Sequence, residues 1–205
     1  MTTNNPNTES FTTVKLTREN FAAFLKTAQN VLPQDELEKV RFCYTLAMAA
    51  PEHRQGIINN WQGLDEDYKK WARDLKEIEY HGMQAKDGTI AASMGQYSFV
   101  EGTENAKMYP GGWLGYTCVP DAFREQGEQL LKLMMTNAGN SGHKTLCMGM
   151  LNNEPAALSE MFQRLGFTEE TFSGVPGFKG VRTKGLEAPS EPGPRVQWSA
   201  PKNQL

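Results

Sequence analysis

The stretch Trp113-LGYTCVPDAFREQGEQLLKLMMTN-Ala138 changes character twice. Trp113 to Val119 is aromatic and β-branched and reads as a strand. Pro120 cannot donate to a ladder and ends it. A turn with Arg124 and Gly127 follows, and then a helix with Leu130, Leu131, Met134 and Ala138 on one face. A helix start presents unpaired N–H groups and the positive end of the helix dipole, which suits a pyrophosphate. Gly127 would let the backbone approach phosphates closely, and Arg124 adds a positive charge beside them. Any strand-to-helix unit needs a turn, however, and Arg and Gly are common there.

Upstream, Phe11–Leu16 is short and β-prone, and Thr17 can cap a helix carrying Phe21, Phe24, Leu25 and Ala28. Pro33 can open a second helix with Leu37, Val40, Tyr44, Ala47 and Met48 on its apolar face. Pro51 breaks that helix. Leu64, Tyr68, Trp71, Leu75 and Ile78 mark another, with Asp65 near its start. Residues 17–78 therefore read as helical. Glu79 to Lys86, Asp87-Gly88 and Thr89 to Val100 read as a β-hairpin. Downstream of the opening stretch, Lys144 to Leu151 is a strand and Asn152-Asn153 leads into a helix with Leu158, Met161, Phe162 and Leu165 inward. Gly166 fits its C′ position. Two short strands are expected near 168–172 and 178–183. A strand, a helix and a strand in succession imply one parallel pair.

In these residues the chain resembles the GCN5-related N-acetyltransferases, the GNAT superfamily. Val119, Phe123, Arg124 and Gly127 match the family's strand end, aromatic residue and phosphate-binding turn. Asn153, Ala156, Leu165, Gly166 and Phe167 match its second motif. The resemblance runs from about Phe11 to Thr183. It implies an α/β fold: a mixed, mostly antiparallel sheet with a central splayed parallel strand pair, flanked by helices, and an extended N-terminal helical segment. It also implies acetyl-CoA as acyl donor and a primary amine as acceptor, the amine attacking the thioester directly. The N–H groups from Phe123 through Arg124, Glu125, Gln126, Gly127, Glu128 and Gln129 to Leu130 would hold the pyrophosphate. Cys118 and Val119 would border the pantetheine arm, and Asn153 would join the donor site.

The match frays at three points. Gln129 stands where the family has a small residue. Glu125 and Glu128 bring negative charge near the phosphates. Phe162 occupies the position of a tyrosine that protonates the departing thiolate, leaving Ser159, one turn earlier, as a substitute. Candidate bases are Glu79, Tyr80 and His81 on the first hairpin strand, and Glu104 and Tyr116 elsewhere. Each also reads as an ordinary strand-edge, loop or core residue. His143 reads as a loop residue, and His53 has no partner in the pattern. Cys118 lacks the His/Asp partners of a nucleophile and reads as a small buried hydrophobe. The methionines at 134–135 and 148–150 read as core. A second reading therefore stands beside the enzyme: a catalytically degenerate GNAT fold serving as a binding or assembly module.

The totals agree with one α/β domain over 11–185, between a polar N-terminus (1–10) and a Pro-rich flexible tail (186–205) that carries Trp198. Hydrophobic residues make up 39% and charged residues 22% of 205, which is ordinary for a globular chain. Net charge is −3 and the longest basic run is Lys69-Lys70, so nucleic-acid binding is not expected. An acidic surface favours cationic acceptors. Three cysteines without a C-x-x-C pattern point to reduced thiols, a cytoplasmic setting and no metal site. No secretory signal or membrane span is expected. A homodimer and a protein partner for the tail are left open.

Overall fold

The computed structural model describes residues 10–34, 36–108, 111–151, 156–171 and 178–186. The Asn152-Asn153 turn, residue 172 and the tail beyond 186 lie outside the described residues. Seven strands form one sheet in the order β1-β2-β3-β4-β5-β7-β6: β1 (Thr12–Lys15), β2 (Leu75–Gln84), β3 (Ile90–Phe99), β4 (Gly112–Cys118), β5 (Thr145–Leu151), β6 (Thr168–Thr171) and β7 (Phe178–Gly185). Every neighbouring pair is antiparallel except β4–β5.

Four helices precede the hairpin: α1 (Phe21–Val31), α2 (Leu37–Met48), α3 (Pro51–Asn60) and α4 (Glu66–Arg73). They pack on one face of the sheet, where Phe24, Val40, Phe42, Tyr44 and Leu46 meet Ile78, Tyr80 and Phe99. A short α5 (Glu104–Met108) precedes β4. On the opposite face, α6 (Arg124–Asn140) and α7 (Ala156–Arg164) bury Leu130, Leu131, Met134, Met161 and Phe162 against Met94, Leu114, Leu146 and Met148. Among the described residues, no helix is long and apolar enough to cross a membrane and no group of three His, Cys, Asp or Glu side chains could hold a metal.

Local chemistry explains several boundaries that differ from the expectation. Thr17 does not cap α1. Asn20 accepts from the Thr17 N–H at 2.7 Å and donates to the Lys15 carbonyl at 2.9 Å, and this turn delivers the chain to Phe21. Pro33 lies in the connection before α2, whose first residue is Leu37. Pro51 ends nothing within a helix; it occupies the first position of α3, where its missing N–H costs no hydrogen bond. Asp65 does cap α4, accepting from Tyr68 N–H at 2.7 Å. The helix reading of 64–78 stops short at Arg73. Leu75 and Ile78 belong to β2, which starts four residues before the expected Glu79. Gly166 follows α7 with φ +78°, as a C′ glycine does.

Candidate functional site

The site is built where β4 parts from β5. Parallel pairing covers only Gly112–Leu146, Trp113–Cys147 and Leu114–Met148. Both strands run on, to Cys118 and Leu151, without further pairing to each other. An opening therefore forms at the carboxyl ends of adjacent parallel strands, a common place for ligands in α/β sheets.

The same segment of β4 is irregular on its other side. Ser93 pairs with Cys118 while Gly95 pairs with Gly115, so β4 carries one extra residue. The bulge turns Tyr116 to the helical face, where its hydroxyl donates to Glu36 Oε2 at 2.9 Å and lies 3.4 Å from Tyr68 Oη. Thr117 turns the other way, its Oγ1 lying 3.9 Å from Met148 Sδ. Burial holds the Tyr116 hydroxyl far above its usual range, so it stays protonated. Cys118 is fully buried, and burial pushes its thiol up to about 12. That fits a packed small hydrophobe rather than a nucleophile.

Beyond Pro120 a single 3-10 turn (Asp121–Phe123) enters α6. Phe123 N–H bonds back to Pro120 O at 2.8 Å. The first-turn N–H groups of Arg124, Glu125 and Gln126 have no intrahelical carbonyl, and no side chain caps them. Those of Glu128, Gln129 and Leu130 lie within the helical ladder, so the N–H groups outside it are those of the first turn. Arg124 is exposed beside it, 3.1 Å from Asp121 Oδ1. Glu128 does not oppose an anion as its charge suggests, because Lys132 at 2.9 Å and Arg164 at 3.2 Å both pair with it. Gln129 is exposed. Gly127 is not in an exposed turn. It is buried, and a Cβ there would lie 2.5 Å from Val119 Cγ1. Its missing side chain lets α6 close on the end of β4. A cavity of about 300 Å³ adjoins this junction, between Lys26 and Asn30 of α1, Asp87 and Thr89 of the hairpin turn, and Pro120 and Phe123.

The remaining candidates do not converge here. Ser159 faces β6 and β7: it donates to Glu169 Oε1 at 3.0 Å and accepts from Arg182 Nη2 at 3.0 Å. Phe162 is fully buried against Phe167 and lies under the Arg182 guanidinium. Glu79 neighbours Tyr80, which packs on Tyr44 of the helical face, so by alternation Glu79 and Tyr116 occupy opposite faces. Glu104 binds Lys70 at 2.8 Å on the surface. Asn153 lies outside the described residues. Sequence reasoning missed Glu36, Tyr68 and Arg182. Glu36 sits in a connection 80 residues from Tyr116, and no local pattern joins them.

Glu79 has a use in stability instead. His81 beside it and the Lys15 ammonium at 2.6 Å pull its carboxyl down to about 2. A depressed carboxyl contributes stability that is present above its unfolded value and lost as pH falls through its folded one. Its side chain is 48% exposed, so the effect is screened. Stability of the parent should therefore fall more steeply between pH ~4.5 and ~2 than that of Glu79→Gln, read from urea midpoints across that window. Parallel curves would show that the pairs carry no linkage.

No family model and no curated protein matches the chain. Solved structures do. A Desulfovibrio desulfuricans protein assigned to the GNAT-family acetyltransferases superimposes with a TM-score of 0.60 at 12% identity, over 87% of this chain and all of the other. A GNAT-family acetyltransferase from Staphylococcus aureus Mu50 gives 0.54 at 11%, over 87% of this chain and 100% of the other. The PaiA N-acetyltransferase of Thermoplasma acidophilum, solved with coenzyme A, gives 0.51 at 14%, over 86% of this chain and 99% of the other. With its single parallel pair at the centre of a seven-stranded antiparallel sheet, the chain has the fold of the GCN5-related N-acetyltransferases.

Proposed function

We propose that the chain is an N-acyltransferase that moves an acetyl group from acetyl-CoA to a primary amine. The observation that carries this reading is the parted β4–β5 pair with the uncapped start of α6 directly beyond it. The residues suit the donor. First-turn N–H groups and Arg124 match a pyrophosphate, and the opening between the strands matches an extended pantetheine arm. The thioester supplies an activated acyl group, and the chain supplies orientation, hydrogen-bond donors from the free strand edge and a route for protons. Three buried cysteines, none joined in a disulfide, support a cytoplasmic setting. A homodimer and a protein-binding tail remain parts of this reading to be tested by sedimentation and by truncation at Leu186. The degenerate-module reading loses half of its electrostatic argument, because Glu128 is paired with two cations, while Glu125 stays exposed in the first turn.

Acetyl-CoA binding is the first test. Ligand at about 100 times its Kd should stabilise the fold by about 2.7 kcal/mol, several degrees in Tm for a chain of this size. Arg124→Ala should leave the unliganded Tm within about 1 °C, since an exposed pair contributes little. It should weaken acetyl-CoA binding about tenfold or more, the value of one charge-assisted hydrogen bond. No shift with millimolar acetyl-CoA in the parent would sink the enzyme reading.

A further inference from the structure

Tyr116 on β4 is hydrogen-bonded to Glu36, a residue outside both sequence motifs. Tyr116 stands beyond Leu114, the last position at which β4 pairs with β5, on the stretch that has parted from its neighbour. The bulge aims its hydroxyl across to the connection between α1 and α2. There Glu36 Oε2 accepts it at 2.9 Å. The other carboxylate oxygen of Glu36 is held by the Lys39 ammonium at 3.0 Å. The Glu36 side chain is 24% accessible, so the carboxylate touches water on one side and a half-buried hydroxyl on the other. Tyr68 borders the pair, 3.4 Å from Tyr116 Oη and 3.3 Å from Cys43 Sγ. Glu38 turns away to Trp61 Nε1 at 2.9 Å.

We infer that Glu36 removes the acceptor's proton through Tyr116, and that the acceptor arrives as an alkylammonium ion. The inference rests on the acyltransferase reading above. The step balances as follows. The ammonium N–H passes its proton to Tyr116 Oη as the tyrosine's own proton moves to Glu36 Oε2. The ammonium becomes a neutral amine, and the carboxylate becomes a carboxylic acid. The amine lone pair attacks the thioester carbonyl carbon, the C–N bond forms and the C–S bond breaks. The second nitrogen proton ends on the departing sulfur, giving amide and thiol. Glu36 returns its proton to water at its exposed edge. The tyrosine never carries a lasting charge, consistent with its buried, protonated state. Placing the carboxylate one residue away from the reacting nitrogen also keeps a carboxylate from competing for the acyl group.

The test compares two acceptors in the parent, Glu36→Gln and Tyr116→Phe, with Glu38→Gln as control. One acceptor is an alkylamine, charged at about pH 8; the other is an aromatic amine, already neutral at that pH. Acetyl transfer is followed by thiol release, and acetyl-CoA binding and Tm are measured alongside. The expected result is a fall in kcat of about 100-fold for the alkylamine in Glu36→Gln and Tyr116→Phe, but within about fivefold for the aromatic amine. Acetyl-CoA affinity should stay at the parental value, Tm should fall by no more than the few degrees that one part-buried hydrogen bond is worth, and Glu38→Gln should turn over like the parent. Equal losses with both amines would overturn the inference and leave the acyltransferase reading standing. So would a Glu38→Gln loss matching that of Glu36→Gln. A parent that binds acetyl-CoA but acetylates neither amine overturns the inference and leaves a CoA-binding fold. A parent that does not bind acetyl-CoA overturns the acyltransferase reading itself.

Discussion

Gly127→Asp is expected to destabilise the fold by roughly 3–5 kcal/mol, well beyond emptying a phosphate site. Gly127 is buried in the first turn of α6, and an ideal Cβ there falls 2.5 Å and 2.8 Å from the two γ-carbons of Val119. Those are methyl groups at the end of β4, held by the strand, so relief needs movement of the helix start. Overpacking of this kind costs about 1–3 kcal/mol. A carboxylate in the same place adds an unpartnered buried charge. The gain in helix propensity over glycine, about 0.5 kcal/mol, offsets little. The steric and ionic parts separate by mutation. Gly127→Ala should lose about 1 kcal/mol net, and Val119→Ala combined with it should recover most of that, a coupling that only direct contact produces. Urea midpoints at constant m-value give each number. A Gly127→Asp variant with the parental midpoint would place Gly127 in the exposed turn that its sequence suggests.

The glycine illustrates what the sequence conveys and what it withholds. The succession from Trp113 to Ala138 was legible because each step is local: a β-branched run, a proline, a turn, a helical period. The same holds for the hairpin around Asp87-Gly88 and for Gly166 after α7. The reason for Gly127 was not legible, because the atom it avoids belongs to the preceding strand and not to a ligand. The start of β2 was misread for a related reason. Trp71, Leu75 and Ile78 continue a helical spacing, but Ile78 and Tyr80 also fit alternation, and only pairing of Leu75 with Phe99 decides between them. The bulge in β4 leaves no local mark. It depends on Ser93 and Gly95 across the ladder, and it sends Tyr116 to Glu36 instead of to Glu79. The proposed function divides in the same way. The proposed donor side lies in one continuous segment, whereas the proposed proton route joins the α1–α2 connection to the central strand, 80 residues apart, with no local pattern between them.

Glu169→Ala should cost about 1–3 kcal/mol, a sizeable share of the 5–15 kcal/mol that holds a typical domain together. Arg182 on β7 is fully buried, a position that demands compensation for its charge. Glu169 of β6 takes its Nε at 2.7 Å, Ser159 of α7 takes an Nη at 3.0 Å, and the Phe162 ring lies 5.1 Å from the guanidinium carbon. Removing Glu169 takes away the carboxylate at 2.7 Å and leaves the guanidinium buried. Removing both charges is different, because apolar residues of similar volume fill such sites at little cost. The double variant Glu169→Leu with Arg182→Met should therefore recover part of the loss. Arg182 first, then the Ser159 hydroxyl, holds the Glu169 carboxyl below its usual range. Its contribution is present above the unfolded carboxylate value of ~4.3 and disappears as pH falls through the folded one, so the gap between parent and Glu169→Ala should close in acid. The same geometry bears on the second motif. Ser159 donates a hydrogen bond to Glu169 and accepts one from Arg182, and Phe162 forms the floor beneath them. The tether that joins α7 to the last two strands thus uses both residues that the family pattern offers near the thiolate. If Glu169→Ala unfolds at the parental urea midpoint at neutral pH, the tether holds nothing and Ser159 is available for another role.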